Sequence, residues 1–495
     1  MVPMNTSGQQ QGDLNAAKIQ LLYLLQKMDD ALIKSSGVFK HLHPSQLSSA
    51  YNLVQYLALR SEDVRNLQDQ LHMHGLSSLA SSESHIRYQL QSILTWLGET
   101  FTSVHQHLDY YTGRQLIEER AIGLFGKSHV ESIPSIMVTF DREFAGNVIL
   151  IKKLLETGMN VARINTAHDD AGIWSAMITT LKQASQSTGI ECKIFMDLAG
   201  PKLRSSVVGK GHSSGKVAVF EGQQIYLTGP GAGYDPLKVV ISCDEPGVVT
   251  QLKNGDRVLF DDGMIESVVE DNDAGMALLR VNRVSSKKQQ LKEGKGINFP
   301  DSALQLASLS AYDIKTLPFI CENADLIGYS FVRDAGDVKL LQDKLSAFKK
   351  RPAITLKIET PDAVKNLPSL LLQGMQESVF AVMIARGDLA VEIGFERMSE
   401  IQEEILWISE AAHVPVIWAT QVLETLNKSG IATRSEVTDA AYAGRSECVM
   451  INKGDYIINV IRSLVDILQR SGMHHAKKRY TFRPMNIASN FFDSL

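Results

Sequence analysis

The chain has little cysteine, no long hydrophobic run and no strong excess of either charge. Its four cysteines, Cys192, Cys243, Cys321 and Cys448, are scattered over 495 residues. That spacing builds neither a disulfide framework nor a zinc knuckle, and it is typical of reduced thiols in a cytosol-like compartment. No apolar stretch reaches the about eighteen residues of a membrane span. The most hydrophobic early segment, LLYLLQKM, is flanked by Lys18, Gln20 and Gln26 around its apolar stretch. The opening MVPMNTSGQQQGD has neither a charged n-region followed by apolar residues nor an Arg-rich amphipathic pattern. A soluble, cytoplasmic protein with no membrane partner is therefore expected. The net charge of -5, with 21% charged residues, also lacks the basic footprint of a nucleic-acid binder. Anionic ligands must be met by local positive charge.

The length implies two or three structural units. Apolar residues recur at helical spacing at Leu14, Ala17, Leu21, Leu25, Met28 and Leu32. A second amphipathic pattern runs from about Leu47 to Met73 and stops near Gly75, and a third carries Ile86, Leu90, Ile93, Leu94 and Leu97. Residues 1–130 thus read as a helical extension. Three His-x-His pairs lie in it, at His41/His43, His72/His74 and His105/His107. Residues two apart on a helix do not face each other, so these are read as surface histidines and not as a zinc site.

After Pro134 short Val- and Ile-rich runs alternate with helical patterns: SIMVTF, NVARIN, CKIFMD, DLIGYSF, AITLKIE, VFAVMIA, VPVIWAT and ECVMIN. Eight such units with continuous hydrophobicity predict a closed (β/α)8 barrel wrapped by helices. The third unit is interrupted by short β-like runs punctuated by Gly, Asp and Pro. They predict a small inserted β domain lying over the barrel mouth as a lid. The expected layout is extension 1–130, barrel 131–204, lid 205–295, barrel 296–471 and tail 472–495.

The active face of such a barrel is built from the C-terminal ends of its strands, so polar residues there carry the functional argument. They are Arg163 and Asn165, Asp197, Lys357 and Glu359, Asp388 after the sixth strand, and Thr420. Lys357 and Glu359 are two apart, hence on one face of their strand. Glu359 and Asp388 suit magnesium or manganese held by carboxylates and substrate oxygens. Lys357 and Arg163 suit an anionic, phosphorylated substrate. Amides at Gly387, if they open a helix, suit a carboxylate or phosphate.

The runs TGMNVARINTAH, IFMDLAGPKLR, YSFVR, LKIE, MIARGDLAVEI, WATQVLETL and TRSEVTDAAYAG resemble the signature segments of the pyruvate kinase family, over about residues 135 to 470. The resemblance implies phosphoryl transfer from phosphoenolpyruvate to ADP, with the lid closing over the nucleotide. It implies that Glu359 and Asp388 hold the divalent metal, and that Lys357 neutralises the transferring group and the enolate. Arg163 then holds the phosphate, while Gly387, Asp388 and Thr420 hold the substrate carboxylate. His168, Arg204 and Asp262 fall where the family contacts the nucleotide. A homo-oligomer is implied as well.

Several positions depart from the family pattern. Asn165, Ala167, Asp197 and Leu198 stand at the potassium ligands, so one hydroxyl is missing, and Lys202 stands where potassium-requiring members have Glu. Potassium-independent activity is the expectation. Phe140, Asp141, Arg142 and Glu143 replace an element bordering the adenine, and Asn452, Lys453 and Gly454 replace a second nucleotide-side run. Nucleotide identity is left open. Only 472–495 follows the eighth helix, so the family's C-terminal domain and sugar-phosphate activation are expected to be missing. The other readings are a metal-dependent decarboxylase or lyase working through an enolate, and a non-catalytic phosphoenolpyruvate-binding regulator.

Overall fold

The computed structural model describes residues 7–101, 108–128, 130, 133–273, 275–286, 289–302, 304, 306–472, 475–476 and 479–480. His105, His107 and the tail beyond 480 lie outside them. The eight apolar runs form eight parallel strands: Ser135–Thr139, Met159–Asn165, Lys193–Asp197, Leu326–Tyr329, Ala353–Ile358, Ala381–Ala385, Val416–Ala419 and Cys448–Ile451. They close into a barrel in chain order, the eighth pairing with the first through Ser135↔Cys448 and Val138↔Ile451. Both faces of each strand are covered, which is why the runs are continuously apolar. Register brings functional residues level: Asn165 pairs with Asp197, and Asp197 with Gly328. Gly328 is needed there, because a Cβ would lie 2.0 Å from Asp197 Oδ1.

The inserted unit lies between the third strand and the helix Ala311–Asn323. Its seven-stranded sheet starts at Ser205–Val207 and ends at Ile297–Asn298, with its own core of Val207, Ile225, Ile241, Val258 and Phe260 among others. The neighbouring strands pair antiparallel, except that Gln224–Thr228 and Val240–Cys243 run parallel.

The extension holds helices Ser7–Lys34, Leu47–Arg60, Arg65–Met73, Ile86–Trp96 and Tyr110–Phe125. The pattern expected as one helix from Leu47 to Met73 is two helices. Ser61 Oγ turns back to Ala58 O, and the Asp63 carboxylate accepts from Arg65 N, which opens the next helix. The helix Tyr110–Phe125 was not foreseen, because its apolar residues follow no clear face. Asp109 caps it at Thr112 N, and its last turn sends Leu124 and Phe125 into the barrel interior beside Met137, Val161, Phe195 and Leu326.

The extension is keyed onto the barrel by buried polar contacts. Asn52 donates to Glu83 O and Ala411 O and accepts from Ile86 N, His413 Nε2 lies 2.8 Å from Ser84 O, and Arg120 donates to His413 O. Among the described residues, no group of three or more His, Cys, Asp or Glu is placed to hold a metal, and no helix is long and apolar enough to cross a membrane.

Candidate active site

A cleft of ≈ 380 Å³ opens at the C-terminal mouth of the barrel, between the strand ends and the lid. Arg163, Asn165, His168, Lys202, Arg204, Asp262, Lys357, Glu359, Asp388 and Thr420 line it together. Two candidates named above do not line it. Asp197 is fully buried beneath its floor, and Gly387 lies beside it, in a helix, Arg386–Ile393, that does open there.

Asp197 is the hub of the floor. Arg163 approaches its Oδ2 at 2.7 Å through Nε and 2.5 Å through Nη2, and Lys357 Nζ is 3.6 Å from Oδ1. Arg163 also donates to Thr139 Oγ1 at 3.0 Å, so its guanidinium is fixed by two neighbouring strands. Lys357 is 3.0 Å from Glu359 Oε1 and donates to Ser330 Oγ at 2.7 Å, and Ser330 Oγ in turn donates to Leu198 O. Burial alone would lower the lysine's pKa, but the fields of Asp197 and Glu359 outweigh it and hold the pKa above its ordinary value. Lys357 is therefore a permanent ammonium at neutral pH.

Glu359 is 2% exposed and its second oxygen accepts from Phe331 N at 2.6 Å. Phe331 adopts a left-handed φ of 56° at that contact. Burial raises the Glu359 pKa; Lys357 opposes the rise and the negative field of Asp388 adds to it. Asp388 meets Lys202 Nζ at 2.7 Å, and the same ammonium is 3.8 Å from Asp262 of the lid. For Lys202 too, burial pulls the pKa down, but Asp388 and Asp262 win and keep it raised. The cleft thus presents two oxygen-donor acids in one electrostatic field, each neutralised by a lysine. That set fits a hard divalent cation completed by substrate oxygens, and it does not fit an all-protein cage.

Thr420 closes the far wall. Its Oγ1 is buried without a hydrogen-bond partner among the described residues, and its φ is 66°. The strained backbone is clamped by Arg386, whose Nε donates to Ala419 O at 3.0 Å and Nη2 to Thr420 O at 2.5 Å. Arg386 is itself held by both oxygens of Asp439 and stacks over Trp418. Arg386, two residues before Asp388, lies outside the cleft lining and acts as a clamp.

Ser330, Lys295 and Asp261 also line the cleft and were missed. Ser330 was findable, since it follows the fourth strand at the same rim. Lys295 and Asp261, 3.3 Å apart, belong to the lid and carry no barrel-strand signal. On the flank expected to meet a nucleotide, the loops after the first, second and eighth strands are tied together by Lys453–Asp141 (3.2 Å) and Arg142–Asp169 (3.0 Å).

Fold and cleft together define a lidded (β/α)8 barrel whose mouth gathers the basic Arg163, Lys202 and Lys357 with the acidic Glu359 and Asp388. The sequence matches the family model for the pyruvate kinase barrel domain over residues 135–461. It is 32% identical over 341 residues to a pyruvate kinase of Dictyostelium discoideum, covering 66% of this chain and 64% of that protein. Identity to a Mycobacterium intracellulare pyruvate kinase is 31% over 329 residues, covering 64% and 66%. For a cytosolic isozyme of Glycine max it is 31% over 315 residues, covering 62% and 58%. The chain belongs to the pyruvate kinase family. It spans just under two thirds of the length of the first two of these relatives.

Proposed function

We propose that the protein transfers the phosphoryl group of phosphoenolpyruvate to a nucleoside diphosphate, giving pyruvate and a nucleoside triphosphate. The observation that carries this reading is the convergence of Arg163, Lys357, Glu359, Asp388 and Thr420 on one cleft. Such a reaction breaks the bond between phosphorus and the enol oxygen and forms one to the terminal diphosphate oxygen. The remaining enolate takes a proton at carbon.

Phosphoryl transfer asks mostly for positioning and charge neutralisation. Arg163, fixed by Asp197 and Thr139, orients the phosphate. The Lys357 ammonium, already poised at the floor, balances charge on the transferring group and then on the enol oxygen. Glu359 and Asp388 are the residues that would hold magnesium or manganese, whose role when bound is Lewis-acid stabilisation of phosphate and enolate oxygens. Gly387, Asp388 and the unpartnered Thr420 hydroxyl face the substrate carboxylate, and the hydroxyl also stands on the proton-delivery side. His168, Arg204 and Asp262 take the nucleotide, with Lys295 beside them. Lys202 supplies fixed positive charge between Asp388 and Asp262, which supports activity without potassium.

A coupled pyruvate-release assay across nucleoside diphosphates, with magnesium or manganese, tests the proposal. Pyruvate formed only with both a diphosphate and a divalent ion is the expected result. A second reading draws on the nucleotide flank, where Asp141, Arg142 and Lys453 depart from the family's sequence pattern and are ion-paired: the same cluster would stabilise an enolate in oxaloacetate decarboxylation. Nucleotide-free turnover of oxaloacetate would select it, and saturable phosphoenolpyruvate binding without turnover would select a regulator.

A further inference from the structure

A second cavity, of ≈ 280 Å³, lies behind the first at the root of the lid. The chain enters the lid through Pro201–Leu203 and leaves it through Ile297–Ser302, and both segments line this cavity. Its other wall is barrel: Phe331, Arg333, Thr360, Pro361, Asp362 and Glu392. Much of the surface is apolar, from Leu203, Ile297, Phe299, Leu304, Leu306 and Phe331. The volume sits just under the about 300–1,000 Å³ of small-molecule sites, so it would take a compact ligand.

Its charges determine what kind of ligand. Lys202 is held by Asp388, Arg333 by Asp337, and Asp301 by Arg257. Among the described residues, Glu392 and Asp362 have no cation at ion-pair distance; Lys202 and Arg257, each already paired with another carboxylate, act on Glu392 only from further off. Glu392 Oε1 accepts from Asn298 Nδ2 at 2.7 Å. Asn298 is 6% exposed, and its Oδ1 has no hydrogen-bond partner among the described residues. A half-buried carboxylate and a buried orphan carbonyl oxygen therefore stand side by side in an apolar pocket, both asking for N–H donors.

We propose that this cavity is a binding site for a small primary amine with an apolar body, its ammonium on Glu392 and the Asn298 carbonyl and its body against the leucines and Phe299. The site goes beyond the phosphotransferase reading. Its walls are the two connections of the lid and two residues shared with the catalytic cleft, Lys202 on Asp388 and Phe331 on Glu359. An occupant would therefore favour the lid position that shapes the cavity, since a ligand stabilises the conformations that bind it.

The test titrates phenethylamine, with its neutral isostere phenethyl alcohol, into the full-length protein by calorimetry or ligand-observed magnetic resonance. Saturable binding of the amine and at least about tenfold weaker binding of the alcohol are expected. Glu392→Gln should weaken amine binding by a similar factor, and Leu306→Trp, which fills the apolar half, should abolish it. Lys357→Ala, which lies in the other cleft, should leave it unchanged whatever its effect on turnover. Circular dichroism checks that each variant is folded. The proposal is overturned if the wild-type protein does not bind the amine saturably, if amine and alcohol bind alike, or if Lys357→Ala and not Glu392→Gln removes binding.

Discussion

Lys357→Met removes an ammonium that stands 3.0 Å from Glu359 Oε1 and 3.6 Å from Asp197 Oδ1. At an effective dielectric near 20, each of those separations is worth about 5 kcal/mol of attraction. Most of that offsets desolvation, so breaking one side of the buried cluster costs about 3–5 kcal/mol of stability. Arg163 still covers Asp197, which places the loss at the lower end and leaves the barrel folded. Glu359 then stands without its ammonium. Burial and Asp388 already raise its pKa, so removing the lysine raises it further, and the carboxyl is protonated over a wider range at the acid end.

Two consequences for manganese binding follow, with opposite signs. Above the new pKa the competing ammonium is gone, and the ion binds more tightly than in the wild type; towards acid pH the protonated Glu359 rejects it, and affinity falls below wild type. Manganese relaxation titrations at two pH values read this crossover. Turnover of phosphoenolpyruvate should drop at least about a thousandfold at every pH, because among the described residues Lys357 is the cation that meets both Asp197 and Glu359 on the floor. Turnover retained within about tenfold of wild type would refute the neutralising role, and manganese binding lost at both pH values would show that Lys357 builds the site instead.

Burial pushes Glu392 up to about 6, against the Asn298 hydrogen bond and with the field of Asp388. The native protein then binds more protons than the unfolded chain between about 4.5 and 6, so stability falls as pH rises through that window. Glu392→Gln should raise stability by about 1–2 kcal/mol above the window and leave it unchanged below, read by denaturant melts. Arg386→Lys cannot span Ala419 O, Thr420 O and Asp439, so turnover should fall about a hundredfold while far-ultraviolet dichroism stays native. Asn52→Ala removes the side-chain hydrogen bonds to Glu83 O, Ala411 O and Ile86 N and should lower stability by about 2–3 kcal/mol, monitored by thermal unfolding. Exchanging sodium for potassium should leave turnover unchanged; a strong rise would show that Lys202 does not replace the monovalent ion.

The barrel could be read from the sequence because buried parallel strands need unbroken apolar runs, and all eight runs are strands. The floor could be read in part: the two-residue spacing of Lys357 and Glu359 and the strand-end position of Arg163 placed them together. What could not be read was pairing between distant segments. Nothing local says that Lys202 reaches Asp388, that Asp197 gathers both Arg163 and Lys357, or that Arg386 turns from the rim to clamp Thr420. Helix ends in the extension were harder still. The break after Arg60 depends on Ser61 and Asp63 side chains bonding to nearby backbone, while Tyr110–Phe125 lacks a single apolar face because only its last turn is deeply packed in the barrel.

That last turn ties the two halves of the molecule together. Leu124 and Phe125 come from outside the barrel yet occupy its interior, with Phe125 fully buried. A barrel expressed alone from residue 131 would have an empty socket in its base, a vacancy of the kind that costs about 3–5 kcal/mol when a Phe is truncated. The helices ahead of the barrel are thus not a detachable accessory, and transplanting them without their stopper, or the cylinder without its plug, would yield two unstable fragments.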